Sequence, residues 1–274
     1  MIIDKQAKSR AHMNTRDIIL NSLITRGIEY DIFRREQTSA NFTSDKFVDS
    51  TNYDLVISLG GDGTFLYACH LIPNSNTPVF GVNSDNDLSE GFLVETDHST
   101  LETRIELLLT SHLPLVQYPR LVAWRNDKQF QVKALNEIYM GRLQGYKMAR
   151  YELKLGDGTK ERQKSSGLLI STGLGSTAWY KSAGGTPFSK HADYSEFIVR
   201  ECYEGRLTSC KHVQGRFNAN GRIMLRMLVD EMVIAMDSIK EYPLSGGDTL
   251  VVEFEKNSIS VVDFGHLRDE HSSR

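Results

Sequence analysis

Gly60-Gly61-Asp62-Gly63-Thr64 sets one carboxylate in a run of glycines, directly after the apolar stretch Tyr53–Leu59. At the carboxyl end of a strand, glycines let backbone N–H groups approach a ligand closely, and a following helix mouth carries partial positive charge suited to phosphate. A carboxylate in that place is repelled by phosphate unless it binds a metal ion or accepts a proton from an attacking hydroxyl. Both roles belong to phosphoryl transfer. An ordinary alternative stands beside this one: Asp62 caps a helix beginning near Thr64. Residue type alone does not separate the two.

The same tetrapeptide recurs as Gly156-Asp157-Gly158-Thr159, between charged and alternating residues, where Asp-Gly is the usual chemistry of a hairpin turn. A second glycine-rich turn, Gly173-Leu174-Gly175-Ser176-Thr177, follows the buried-looking strand Gly167–Ser171 and leads into Ala178-Trp179-Tyr180-Lys181-Ser182. Its hydroxyls, small residues and aromatics suit a nucleoside pocket, with a ring stacking on Trp179 or Tyr180. Composition alone favours ordinary core aromatics. Asn136 and Glu137 are adjacent in the alternating segment QVKALNEIYM, so their side chains point to opposite faces and at least one needs a partner. Taken by itself, such a pair is more often a solvated or edge-strand pair than a binding site.

Several chemistries are excluded by direct inspection. No GxxxxGK[ST] string, no complete GxGxxG after a strand and no HExxH occurs, and no metal-ligand set stands out. The 32 Lys and Arg against 35 Asp and Glu give a net charge of -3, so no global basic field exists to hold nucleic acid or an anionic membrane. No apolar run approaches the length of a membrane span. Met1-Ile2-Ile3 passes at once into Asp4 and Lys5, leaving no apolar core for a secretory signal. Cys69, Cys202 and Cys210 lack CxxC spacing, so neither a disulfide framework nor a zinc ribbon is expected, and a reducing cytoplasm fits best.

The elements that must position these residues follow from periodicity. The 274 residues suggest one large or two ordinary domains. Ile18, Ile19, Leu23 and Ile24 predict a helix over Asn14–Arg26, stopped by Gly27. Strands are predicted over Ile28–Arg34, Tyr53–Leu59 and Thr77–Val82, with a helix over Thr64–Leu71, which makes a βαβ unit. Ser99 and Glu102 form a capping-box pattern ahead of a further helix, ended near Pro114. The period then becomes two, and strands are predicted over Leu121–Trp124, Phe130–Met140 and Tyr151–Leu155. Arg222–Met236 fits alternation and a helical face equally, whereas Gly246-Gly247-Asp248 turns into a clear strand. The fold class is therefore α/β: a Rossmann-like parallel-sheet domain over 1–114 and a β-rich domain over 115–274. The last residues, HLRDEHSSR, are expected to fray or to pack back on the first domain.

Taken in order, these segments resemble the NAD kinase family. SLGGDGTFL matches its GGDGT box, GVNSDNDLSEGFL its glycine and asparagine segment, LNEIYM its Asn-Glu box, SSGLLISTGLGSTAWYKSAGG its second glycine-rich box, and SGGDTLVVEF its C-terminal turn and strand. GGDGT alone would be weak, since lipid kinases and 6-phosphofructokinases carry similar loops. The resemblance implies transfer of phosphate from ATP, with Mg²⁺, to the 2′-hydroxyl of the adenosine ribose of NAD. It implies Asp62 as proton acceptor, Gly60, Gly61, Gly63 and Thr64 around the ATP phosphates, and Asn136, Glu137, Ser166, Thr177, Ala178, Trp179, Tyr180 and Ser182 around the dinucleotide. A homodimer or homotetramer is also implied.

The departures are local. Ser166 stands where the family commonly has Asp, Gly173-Leu174 where Pro-Thr is frequent, Trp179 for Tyr, and Asp237-Ser238 for Asp-Gly. SEGFL, SSGL and GSTAW resemble the branch that holds the mitochondrial NAD kinase of animals and bacterial relatives. Two rivals remain: a lipid kinase with the same loop, and a non-catalytic NAD(H)-binding sensor of the same fold.

Overall fold

A computed structural model of the chain describes residues 1–5, 8–34, 52–73, 76–85, 91–94, 96–97, 99–110 and 113–264. Residues 86–90 of the GVNSDNDLSEGFL segment and the terminal HLRDEHSSR lie outside the described residues. The chain divides into two units, Met1–Gln117 with Ile259–Arg274, and Tyr118–Ser258.

The first unit holds β1 (Ile2–Asp4), α1 (Arg10–Thr25), β2 (Ile32–Arg34), β3 (Val56–Leu59), α2 (Asp62–His70), β4 (Val79–Val82) and α3 (Leu101–Thr110). Its strands are all parallel in the order β2-β1-β3-β4, with Ile2 opposite both Ile32 and Ile57, and Val56 opposite Val79. The apolar core joins Ile2, Leu59, Phe80 and Val82 of the sheet to Ile19 and Leu23 of α1 and to Leu101 and Ile105 of α3. Helix α1 starts four residues before the predicted Asn14. The Ser9 side chain accepts the His12 N–H, and His12 and Thr15 extend the buried stripe of Ile19 and Leu23. Gly27, at φ +66, ends it as expected, and Ile28 donates to Leu23 O instead of opening the predicted strand, which shrinks to β2. The capping box is also corrected. The Asp97 carboxylate, not Ser99, accepts the N–H groups of Ser99 and Thr100, and the Ser99 hydroxyl donates to it.

The second unit continues with β5 (Leu115–Arg125), β6 (Lys128–Gln129), β7 (Glu137–Arg142), β8 (Ala149–Lys154), β9 (Lys160–Ser165), β10 (Gly167–Ser171), α4 (Trp179–Ser182), β11 (Tyr194–Arg200), β12 (Gln214–Asn218), β13 (Arg222–Met227), β14 (Met232–Met236), β15 (Lys240–Leu244) and β16 (Thr249–Val262). One antiparallel sheet runs β12-β11-β10-β7-β14-β15. A second ladder pairs β16 with β13, β13 with β8 and β8 with β9. The ambiguous Arg222–Met236 segment is thus two strands. The second GDGT is a turn between β8 and β9, with Gly158 at φ +87 and the Asp157 carboxylate accepting Thr159 N–H at 2.8 Å. Strands β5 and β16 each cross from one unit to the other, and Val261 of β16 pairs with Val79 in the first.

Two sequence expectations fail in this unit for identifiable reasons. Residues 130–136 do not join the predicted strand: Phe130 and Ala134 bond to Ala123 and Leu121 of β5, and Leu135 and Asn136 turn their N–H groups to the Asp237 carboxylate. Cys202 and Cys210, expected to be unpaired, are joined with Cα atoms 6.0 Å apart. The loop after β11 folds back along β9, where Tyr203 N–H reaches Lys164 O and Ser209 N–H reaches Arg162 O, and this brings the two cysteines together. Among the described residues no helix is long and apolar enough to cross a membrane.

Candidate active site

The GGDGT loop occupies the carboxyl end of β3. Gly61 is the N-cap of α2 and no side chain caps the helix, so Asp62 is its first residue and the capping alternative does not hold. Gly60 is required by space: a Cβ there would lie 2.4 Å from Thr64 Oγ1. Thr64 is buried, and its N–H donates to Gly61 O. Geometry offers the N–H groups ahead of Thr64 at the start of α2 no carbonyl of a preceding turn, a standing site for an anion. The Asp62 carboxylate is half-buried and turned to the 91–94 segment: Leu93 N–H donates to Oδ1 at 2.8 Å and Phe92 N–H to Oδ2 at 3.0 Å. A carboxylate offers about four lone-pair positions, and these bonds from the described residues take two of them.

Beside this loop lies a buried polar chain that the sequence reading missed. His12 Nε2 meets Asp4 Oδ1 at 2.9 Å, and its Nδ1 meets Ser84 Oγ at 2.8 Å. It ties the start of α1 to the ends of β1 and β4. His12 has no motif neighbours in the sequence, and only its spacing to Thr15 and Ile19 marks it as inward-facing.

In the second unit, Asn136 and Glu137 are both buried, 8% and 5% exposed, at the mouth of β7. Asn136 Oδ1 and Glu137 Oε2 have no hydrogen-bond partner among the described residues. Burial, and secondarily the Asp237 charge, raises the Glu137 carboxyl from the ordinary 4.5 to about 8. The 172–178 turn lies against this pair: Thr172 N–H donates to Asn136 O at 2.9 Å, and a Cβ on Gly175 would come within 2.2 Å of that same oxygen. Tyr139 shares the Glu137 face of the strand. Its ring meets Trp179 at 4.9 Å between centroids, its hydroxyl donates to Ser166 O at 2.8 Å, and the Arg200 guanidinium sits 5.5 Å from the Trp179 ring.

Asn136, Glu137 and Trp179 are thereby brought together, with Ser166 at the edge through its carbonyl. Thr177, Ala178 and Ser182 are exposed on the 3-10 turn and α4. Tyr180 is placed differently. It is 2% exposed, packs on Leu169 and Ile198, and donates its hydroxyl to Glu196 at 2.7 Å, so of the two rings considered for stacking Trp179 is the half-exposed one. Two cavities of this unit, of about 490 and 410 Å³, are lined by Tyr194, Arg216 and Arg222 and by Lys160, Arg206 and Lys211. Neither includes a residue of the Asn136 group, whose place is marked by its chemistry and not by its volume.

Residues 5–113 match the model of the ATP-NAD kinase N-terminal domain. The chain is similar to members of the NAD kinase family over part of its length. It is 30% identical over 168 residues to the NAD kinase of Bacteroides fragilis, covering 60% of this chain and 57% of that protein. It is 31% identical over 213 residues to human mitochondrial NAD kinase 2, covering 62% of this chain and 47% of that one. The chain thus spans only about half the length of these curated relatives. An Archaeoglobus fulgidus NAD kinase, solved in complex with ATP, shares the fold with a TM-score of 0.74 over 99% of this chain and 98% of its own, at 19% identity.

Proposed function

We propose that the protein phosphorylates the 2′-hydroxyl of the adenosine ribose of NAD with Mg-ATP, yielding NADP and ADP. The observation that carries the reading is the position of Asp62, a carboxylate at the first residue of a helix whose N-terminal amides follow a glycine pair at the end of a parallel strand. Gly60, Gly61, Gly63 and Thr64 would hold the donor phosphates. Asp62 would accept the proton of the 2′-hydroxyl as that oxygen bonds to the γ-phosphorus and the γ-phosphorus–oxygen bond to ADP breaks. The Phe92 and Leu93 N–H groups take two of about four lone-pair positions, which would leave room for that proton.

Asn136 and Glu137 would take polar groups of the dinucleotide and Trp179 a ring, with Ser166, Thr177, Ala178, Tyr180 and Ser182 around them. Magnesium enters this reading on the ATP phosphates, as part of the substrate. It would neutralise their charge. The same family reading implies a homodimer or homotetramer, which light scattering on the eluted protein would report.

A second reading, dinucleotide binding without transfer, is favoured by one feature: the Asp62 carboxylate is already engaged by two backbone N–H groups. The test is direct. Purified protein is incubated with Mg-ATP and NAD, and NADP is read by an NADP-specific dehydrogenase. Asp62→Asn should lower kcat by roughly 10² to 10⁴ fold while NAD affinity stays within a few fold. Bound NAD with no NADP formed, with NADH and polyphosphate also tried, supports the sensor. Phosphorylated lipid would support a lipid kinase, a reading that the aromatic and hydroxyl-rich 171–185 segment disfavours.

A further inference from the structure

The hairpin turn between β14 and β15 buries a carboxylate that holds another segment of the chain. Asp237 is 3% exposed. Its Oδ2 accepts Leu135 N–H at 2.7 Å, and its Oδ1 accepts Asn136 N–H at 2.7 Å and Glu137 N–H at 3.0 Å. Its own N–H donates to Glu137 O at 3.0 Å. Residues 135 and 136 therefore leave the strand that alternation predicts, because their N–H groups face this carboxylate.

The same residues are fastened from their other side. The Thr172 hydroxyl donates to Leu135 O at 2.5 Å and its N–H to Asn136 O at 2.9 Å, while Gly175 packs directly on that peptide. The backbone is thus held through both N–H and C=O groups. The side-chain ends are not: Asn136 Oδ1 and Glu137 Oε2 are buried and have no partner among the described residues. Buried polar atoms generally find partners, and among the described residues this is the one place where two unpartnered ones stand on adjacent residues. A rigid backbone presenting unspent polar atoms is the arrangement of a pre-organised recognition pair. The turn is costly in itself, since Asp237 and Ser238 both adopt left-handed backbone, at φ +51 and +53.

We propose that Asp237 is a positioning residue for dinucleotide recognition, fixing the 135–137 backbone so that Asn136 and Glu137 meet the ligand's polar groups in one geometry. This rests on the dinucleotide reading above. Asp237→Asn keeps the size of the side chain but offers one acceptor oxygen, and it sets an amide N–H against a backbone N–H. KM and Kd for NAD should each rise by at least about tenfold, with kcat at saturating NAD within about threefold of wild type.

An architectural role alone would lower the folded fraction, so that kcat per mole falls while KM is unchanged, and that outcome overturns the proposal. Should Asp237→Asn not fold, Thr172→Val removes one clamp from the carbonyl side. It should raise KM for NAD by about threefold at unchanged kcat, and unchanged KM there overturns the proposal too. Wild-type protein that neither binds nor converts NAD removes the dinucleotide reading and the proposal together. Equal KM in wild type and variants removes the proposal alone.

Discussion

Glu137 carries the character of its surroundings in its protonation state. Burial, followed by the nearby Asp237 charge, raises its carboxyl from 4.5 to about 8, so at neutral pH it is a neutral acid that can donate as well as accept. Between those values the folded chain holds a proton that the unfolded chain has released. Stability therefore falls as pH rises through that window, by at most about 1.4 kcal/mol per pH unit. Glu137→Gln removes the titration. Urea unfolding of both proteins at several pH values should show the stability difference moving steadily in favour of the variant from about pH 5 to about pH 8. A difference that does not change with pH would mean that Glu137 is ionised in the fold. The candidate residues of each unit were legible by type in the sequence, since Asp62 in its glycines and, separately, the Asn136-Glu137 pair stand out by neighbourhood. Their partners were not. Phe92 and Leu93 reach Asp62 from about thirty positions away, and Asp237 reaches Glu137 from 100, and both bonds involve backbone N–H groups that every residue possesses.

At the scale of elements, the β14–β15 turn shows what a local departure costs. Met236 O accepts Ile239 N–H, and the two residues between them have positive φ, the geometry that Asn-Gly or Asp-Gly adopts without strain. Ser238 meets it with a Cβ. Ser238→Gly should raise unfolding free energy by about 0.5 to 1 kcal/mol, the left-handed penalty less the extra freedom of glycine in the unfolded chain. Chemical denaturation measures it, and a loss of stability would mean that the Ser238 side chain contributes more than its backbone strain. Elements with strong periodicity were readable: β10 spans the predicted Gly167–Ser171, and Gly27 ends α1. Errors fell where a side chain overrode the pattern. Ser9 and buried His12 lengthen α1, Asp97 displaces Ser99 at α3, and Asp237 draws 135–136 out of a strand.

For the molecule as a whole, the change from helical spacing to alternation is a local signal, and it separates the parallel sheet of the first unit from the antiparallel strands of the second. Neighbour relations are not local. That β16 alternates beside β13 and then, buried on both faces only over 258–262, pairs by Val261 with Val79 is a relation between distant segments that periodicity cannot order. Each unit carries its own half of the proposed chemistry on its own core, so the two ligands should leave separable marks. Hydrogen exchange followed by peptide mass spectrometry reads this, because binding that satisfies a segment slows its opening. NAD alone should protect peptides covering 135–137 and 172–182, and Mg-ATP alone those covering 60–64. The amides of Phe92 and Leu93 give the finer measure, since their exchange reports whether Asp62 keeps both N–H bonds when the donor is bound. Protection by NAD confined to the first unit would reverse the assignment of the two ligands and detach Asn136, Glu137 and Asp237 from dinucleotide binding.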